Sequence, residues 1–594
     1  MDQVLARLDG APLIASLFVL AIGAGFLFNY IFNDAEAIDY HVPEPEASRP
    51  GWNGKILQEP SLKVPGSSAI QCYAPATGRS LGVVEPATPD DVDRAIASAH
   101  KAQQQWAKTT FAQRRTVLKA MLKYTLENQE QIARIACLDS GKTRVDASFG
   151  EILVTAEKLK WTIDHGEKAL RPQRRPTNLL MMYKRNEVRW EPLGVIAACV
   201  SWNYPFHNLI GPIISGIFAG NGVIVKGSEQ TAWSSWYFAS IAKGALRACG
   251  HDPNLVQPII CWPDVAPHLI SHPGISHITF IGSRPVALHV AASASKTLTP
   301  VCMELGGKDP AILLDDASDL DRVVATLARG VFQSSGQNCI GIERIICLPR
   351  IYEEVIPRLL TIIKGIRLGS ALDMKPGSPS VDMGACISDA NFSRIEDLIV
   401  DAVQSGARLL AGGRRYNHSD FPNGHYFSPT LLVDVTPDMR IAQEELFAPV
   451  CLVMRAESVD DAISIANGTE YALGASVWGS SRRDLDKVTR EVKAGMVAVN
   501  DFGAFYAVQL PFGGVKGSGY GRFAGEEGLR SICNTKAVCV DRWPWLIKTA
   551  IPPQLQLPLK SEPQAWDMCQ GIVELGYGET LKRKVRGLVR MAGM

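Results

Sequence analysis

The feature that most constrains this chain is a long alternation of short apolar runs with helix-forming segments. From residue 193 onward, Val195–Val200 reads as a buried strand, Phe206–Phe218 as a helix and Val223–Val225 as a strand. Trp233–Ala248 follows as a helix, Leu255–Ile260 and Ile278–Ile281 as strands, and Val286–Ala294 as a helix. Strands apolar on both faces and separated by helices lie parallel, with the helices covering the sheet. A second series begins near Ala311–Leu314 and continues through Ile342–Cys347, Tyr352–Ile363, Ile395–Val403 and Val497–Val499. The expectation is two α/β lobes with Glu304 near their junction. Open α/β sheets bind ligands at the carboxyl ends of their strands, and sites commonly lie between lobes. Ahead of both series, Thr88-Pro89-Asp90-Asp91 predicts a helix start: an N-cap, a first-turn proline, then acids. Its apolar stripe runs through Val92, Ile96 and Ala99 to Trp106, and a second helix is expected over Thr116–Ile135.

The chain has 594 residues, too many for one core. Lys plus Arg (61) balances Asp plus Glu (60), so charge gives no argument for nucleic acid. The 13 cysteines are scattered without a C-x-x-C pair, which argues against a structural zinc site and a disulfide framework and fits a reducing compartment. After a short tail (residues 1–10), Ala11–Phe32 is almost wholly apolar; as a helix it would extend roughly 33 Å, enough to cross a bilayer core. It is longer than a usual signal core and lacks a clearly basic n-region, so an uncleaved single-pass anchor is expected. The Pro-, Glu- and Gly-rich residues 33–66 read as a linker. At the other end, Leu581, Val585, Leu588 and Ala592 fall at helical spacing beside Lys582, Arg583, Lys584, Arg586 and Arg590. That is a basic amphipathic helix, suited either to an anionic membrane surface or to packing on the body.

Three segments carry chemistry. Phe332-Gln-Ser-Ser-Gly-Gln-Asn-Cys339 supplies a thiol, Glu304-Leu-Gly-Gly-Lys308 a carboxylate, and Ser201-Trp-Asn-Tyr-Pro205 an amide able to hold an oxyanion. A nucleophile, a base and an oxyanion donor together read as acyl chemistry through a thioester. No G-x-G-x-x-G follows a strand, so a conventional dinucleotide fingerprint is absent. His268 and His272 stand at i,i+4, but Pro273 ends that segment and no acid lies between them, so no metal site is expected. Pro511-Phe-Gly-Gly514 lacks the Lys-Ser/Thr of a phosphate loop and reads as packing near the active site.

Those segments, with Lys226-Gly-Ser-Glu229, Phe280-Ile-Gly-Ser283, Glu444-Glu-Leu-Phe447 and the Pro511 loop, occur in the order found in the aldehyde dehydrogenase superfamily. The resemblance covers roughly residues 60–543, and the N-terminal apolar segment resembles a membrane-bound fungal and plant branch. It implies an α/β, two-lobed aldehyde dehydrogenase-like fold with an N-terminal transmembrane helix (11–32) and a variant Rossmann coenzyme domain (67–175 and 192–304). It also implies an α/β catalytic domain (305–530) and oligomerisation strands (176–191 and 531–543), leaving 544–594 as a C-terminal extension. Cys339 is then the nucleophile, Glu304 the base that activates water, and Asn203 the oxyanion donor, with the Cys339 main-chain N–H as its companion. Val200, Ser201, Trp202, Lys226, Ser228, Glu229, Gly282, Ser283, Leu305, Glu445 and Phe447 would hold the cofactor.

Lys226 and Glu229 resemble the pair on the adenosine ribose, where a carboxylate repels a 2′-phosphate and favours NAD over NADP. Arg284, Ala287 and Ala448 depart from the family pattern. The implied reaction is NAD-dependent oxidation of an aldehyde to a carboxylic acid, the anchor pointing to long-chain or lipid-derived substrates. Also implied are water as co-substrate, a homodimer or larger assembly, and the endoplasmic reticulum membrane with the body facing the cytosol. A coenzyme A-acylating enzyme and a membrane-tethered scaffold without turnover stand as alternatives.

Overall fold

The computed structural model describes residues 37–592 apart from 374–376, 378 and 504–506. The apolar segment 11–32, read as a membrane anchor, lies outside the described residues. Among the described residues no helix is long and apolar enough to cross a membrane.

The first α/β series forms a six-stranded sheet ordered Gly519–Tyr520, Val301–Glu304, Ile278–Ile281, Val195–Cys199, Gly222–Lys226 and Val256–Ile259. All pairs are parallel except that of Gly519–Tyr520 with Val301–Glu304. The register sets Cys199 beside both Lys226 and Phe280, and Ile281 beside Glu304. The chain therefore leaves Val200, Gly227, Gly282 and Leu305 along one carboxyl edge.

The second series forms a seven-stranded sheet ordered Arg408–Ala411, Thr430–Val433, Val450–Arg455, Arg344–Cys347, Pro310–Leu313, Gly474–Trp478 and Met496–Val499. Only Arg408–Ala411 is antiparallel to its neighbour. Along Pro310–Leu313, Ile312 packs into one apolar cluster and Ala311 and Leu313 into another, so both faces are covered. The strand Gly519–Tyr520 comes from the later part of the chain yet edges the first sheet, which stitches the lobes together.

The helix expected at Thr88 forms as Pro89–Trp106, its N-terminus closed by a reciprocal Thr88–Asp91 capping box. The single helix expected over Thr116–Ile135 is instead two, Phe111–Glu127 and Gln129–Ser140. They break at Asn128, whose Nδ2 donates to Tyr124 O at 2.8 Å, a short polar side chain competing for helix backbone. Lys184–Pro192 pairs along its length with Cys533–Asp541 and, on its other side, with Gln173–Arg175. The two strands read as oligomerisation elements thus pair with each other inside the chain, leaving Cys533–Asp541 and Gln173–Arg175 as the outer edges.

Residues 37–66, read as linker, hold one short turn at Glu46–Ser48 and otherwise irregular backbone, yet they lie against the body. Tyr40 stacks on Tyr124 at 4.9 Å, and buried Ser48 accepts from Gln131 Nε2 at 2.6 Å. At the other terminus Glu562–Tyr577 and Leu581–Met591 form a helical hairpin. The helices meet at two glycines: a Cβ on Gly587 would stand 2.7 Å from Gly571 O. Leu581, Val585 and Leu588 remain exposed.

Candidate active site

Cys339 follows the helix Leu320–Phe332 through a turn in which Ser334, Ser335 and Gly336 have φ of 52°, 59° and 73°. Left-handed backbone costs a residue with a Cβ about 1–2 kcal/mol. The turn is held by Ser335 Oγ donating to Gly384 O at 2.9 Å, Gln337 Nε2 donating to Ser334 O at 3.0 Å, and Ile387 N–H donating to Gln337 Oε1 at 2.9 Å. The result carries Cys339 across to the end of Val301–Glu304.

Glu304 is buried, and its Oε1 accepts from Gly306 N–H at 3.2 Å. Burial raises this carboxyl to about 7, against the opposing effects of the Gly306 amide and the hydrogen-bonded Cys339 thiol. The thiol itself is pushed well up, first by burial and then by the Glu304, Asp309 and Glu445 carboxylates. It holds its proton until an acceptor takes it, and Glu304 lines the same cavities.

Asn203 completes the group. Its Oδ1 accepts from Ser201 Oγ at 2.7 Å and Asn208 Nδ2 at 3.2 Å, which turns its Nδ2 toward the cysteine turn, where it donates to Gln337 O at 3.1 Å. The Cys339 main-chain N–H has no acceptor among the described residues. Sequence reasoning missed what holds this corner. Lys142 Nζ donates to Asn203 O at 2.7 Å and pairs with Glu151 at 2.6 Å, while the other Glu151 oxygen accepts from Phe206 and His207 N–H at 3.0 and 2.8 Å. Glu151 lies in a π-helical turn, Ser148–Leu153, and no local pattern marks it or Lys142 as partners of position 203.

Two cavities meet at Cys339, Glu304 and Ile281. One, of about 660 Å³, is lined by Ser201, Trp202, Asn203, Gly282, Ser283, Gly306, Arg394, Glu445 and Phe447. Phe447 meets Trp202 edge-to-face at 5.5 Å. Burial, then neighbouring Glu343, raises Glu445 to about 8, while the Gly307 N–H donates to its Oε1 at 3.1 Å. Its loop was also invisible in sequence: Glu343, paired with buried Lys308 at 2.6 Å, accepts from Leu446 and Phe447 N–H at 3.0 Å. Arg394 Nη2 adds a bond to Glu445 O at 2.9 Å. Ser283, on the cavity lining, sits at the N-cap of Arg284–Ala294 without a side-chain cap bond; Pro285 has no N–H and the Ala287 N–H donates to Ser283 O at 3.0 Å, which leaves the Arg284 and Val286 amides for an anion. An aromatic wall, a carboxylate and a helix N-terminus fit a nicotinamide dinucleotide.

Of the other expected cofactor residues, Val200, Lys226, Ser228 and Glu229 lie outside this lining but on the same sheet edge. Val200 N–H donates to Lys226 O at 3.0 Å, Lys226 Nζ stands 3.4 Å from Glu229 Oε2, and Ser228 Oγ accepts from Gln230 N–H at 3.2 Å. Leu305 is a core residue whose N–H donates to Ser518 O at 3.1 Å. The departures have local accounts: Arg284 pairs with Glu470, Ala287 is buried behind its helix, and Ala448 O lies against Gly336, where a Cβ would approach it to 2.2 Å. His268 and His272 both address Asp93, at 2.6 and 3.4 Å.

The second cavity, of about 600 Å³, is lined by Val154, Lys158, Tyr204, Asn338, Val508, Phe512 and Phe523 among others. Phe512 belongs to the glycine-rich Pro511 loop, which therefore walls this site rather than cradling phosphate. A thiol, a carboxyl and an amide thus sit where an aromatic-walled cavity joins a mostly apolar one.

The aldehyde dehydrogenase family model matches residues 63–538. An aldehyde dehydrogenase-like protein of Schizosaccharomyces pombe is 54% identical over 512 residues, 86% of this chain and 97% of its own. An NADP-dependent succinate-semialdehyde dehydrogenase of Mycobacterium bovis is 31% identical, over 79% of this chain and 99% of its own. Among solved structures, a Mycobacterium tuberculosis aldehyde dehydrogenase complexed with NAD+ superposes with a TM-score of 0.73 at 28% identity, covering 80% of this chain and 95% of that one. The family match across most of the chain, over a fold and a cysteine-centred site of this form, places the protein in the aldehyde dehydrogenase family as an NAD(P)-dependent enzyme.

Proposed function

We propose that the protein oxidises an aldehyde to a carboxylic acid with NAD, through a thioester on Cys339 that water hydrolyses. The observation that carries this reading is that Cys339 and Glu304 both line the place where the two cavities meet. The Cys339 sulfur adds to the aldehyde carbon as its proton leaves to Glu304 or solvent. Asn203 Nδ2 and the Cys339 N–H steady the resulting oxyanion. A bound nicotinamide ring would supply the hydride acceptor, its cavity walled by Phe447, Trp202 and Glu445. Collapse of the oxyanion with loss of hydride leaves the thioester. Glu304 then takes a proton from water, the hydroxide adds to the acyl carbon, and the thiolate leaves with release of acid. A carboxyl base lining the same cavities as the sulfur favours hydrolysis over transfer to coenzyme A, where it would waste the intermediate.

Glu229 beside Lys226 supports NAD over NADP, since a carboxylate at the ribose repels a 2′-phosphate. The apolar segment 11–32 supports a single-pass anchor in the endoplasmic reticulum membrane, with the body cytosolic and long-chain or lipid-derived aldehydes within reach. The unpaired outer strand edges support a homodimer or larger assembly. The decisive test is Cys339→Ser, for which reduced-cofactor formation with any aldehyde should vanish; retained turnover would refute the mechanism.

A further inference from the structure

Three lysines of this chain are buried among the described residues: Lys142, Lys158 and Lys308. Two are neutralised, Lys142 by Glu151 and Lys308 by Glu343, each at 2.6 Å. Lys158, on the helix Val154–Leu170, is only 8% exposed and has no carboxylate partner among the described residues. Its one acceptor among the described residues is Phe523 O at 3.2 Å, which leaves two of its three N–H groups without a partner there. A buried ammonium without a counter-charge is strongly disfavoured, so a position that keeps one points to an anion supplied from outside.

The place of Lys158 says where that anion comes from. It lines the substrate-side cavity that holds Cys339 and Glu304. It also lines a second, narrow chamber bounded by Ala198, Asn208, Ser215 and Thr279. Helix His207–Ala219 leaves that chamber open, because residue 211 is glycine and even an added Cβ would come no closer than 3.8 Å to Lys158 Cδ. Among the described residues no acid lines that chamber. Neighbouring His207 is neutral: its Nδ1 is bonded to Thr155 Oγ1 at 3.0 Å, and burial, then Lys158 and Lys142, lower it to about 3. A second donor on the wall is also unused, since buried Asn338 Nδ2 has no hydrogen-bond partner. Burial lowers Lys158 to about 8, which leaves it largely protonated at neutral pH.

We propose that Lys158 is the counter-charge for a carboxylate carried by the aldehyde substrate, at the end remote from the reacting carbonyl. The proposal rests on the aldehyde-oxidising reading and names a chemical feature of its substrate. Purified full-length enzyme would be assayed with linear ω-carboxy aldehydes of graded length and with their methyl esters, in wild type and Lys158→Met. The carboxylates should exceed their esters in kcat/KM, and the variant should lower that ratio about tenfold or more, mainly through KM. A lysine that merely clamps the Phe523 carbonyl would move acid and ester alike, and a smaller change in the ratio overturns the proposal. If no aldehyde is turned over, the oxidation reading fails by itself. Calorimetry on Cys339→Ala with linear dicarboxylate half-esters and the matching diesters then decides the subsite. Tighter half-ester binding abolished by Lys158→Met supports it, and equal binding of half-ester and diester overturns it.

Discussion

The residues proposed to react are tuned by burial more than by charge. Glu304 is raised to about 7 first by desolvation, and a base works in its deprotonated form. Deacylation should therefore climb as pH rises through about 7 and level off above it. Glu304→Gln should abolish that limb and leave a burst of reduced cofactor without steady turnover, visible by stopped-flow. The same shift acts on stability. A folded-state pKa above the unfolded value means the folded protein holds this proton more tightly. The contribution is full below the unfolded pKa of about 4.3 and is lost as pH rises through about 7. Glu304→Gln should thus melt higher than wild type in mildly alkaline buffer and match it in mild acid. A variant less stable at alkaline pH would contradict this.

At the scale of single elements, two close approaches decide what the backbone tolerates. Gly306 has φ +76°, and a Cβ there would stand 2.2 Å from Glu445 Oε1. Gly306→Ala should cost about 1–2 kcal/mol for the left-handed backbone alone, seen in denaturant melts. It should also displace Glu445 and raise KM for the cofactor more than for the aldehyde. In the C-terminal hairpin the helices touch through Gly571 and Gly587. Gly587→Val should separate them and raise hydrogen exchange across Glu562–Met591, while NADH formation holds, because no residue there lines either cavity.

For the whole molecule, the chain brings one sheet from each α/β series to a common centre and leaves apolar surface at its far end. Trp545, Leu546 and Leu557 are 80%, 71% and 87% exposed, on the segment that leads into the C-terminal hairpin. With segment 11–32 this layout supports membrane association. The full-length protein should sediment with membranes and resist high-salt extraction. Removal of residues 1–36 should release it to the supernatant with activity intact; recovery of full-length protein in the soluble fraction would end the anchor proposal. Much of this architecture was legible beforehand. Ile278–Ile281 was read to its ends, and Thr88 capped the helix it announced. Arg408–Ala411, Thr430–Val433 and Val450–Arg455 were not read, because such brief runs show a period only beside their neighbours.

What the sequence determined by itself was the local and the ordered: strand and helix periods, the cap at Thr88, and the succession of motifs that carries Asn203, Glu304 and Cys339. These are written within a few residues, where spacing and residue type carry the signal. What only the tertiary structure decided was which distant groups share a charge. Lys142 finds Glu151 and Asn203, and Lys308 finds Glu343 beneath the Phe447 loop, while Lys158 finds no carboxylate among the described residues. The cost of a buried charge depends on what the fold places within hydrogen-bond reach, and no window of sequence contains that information.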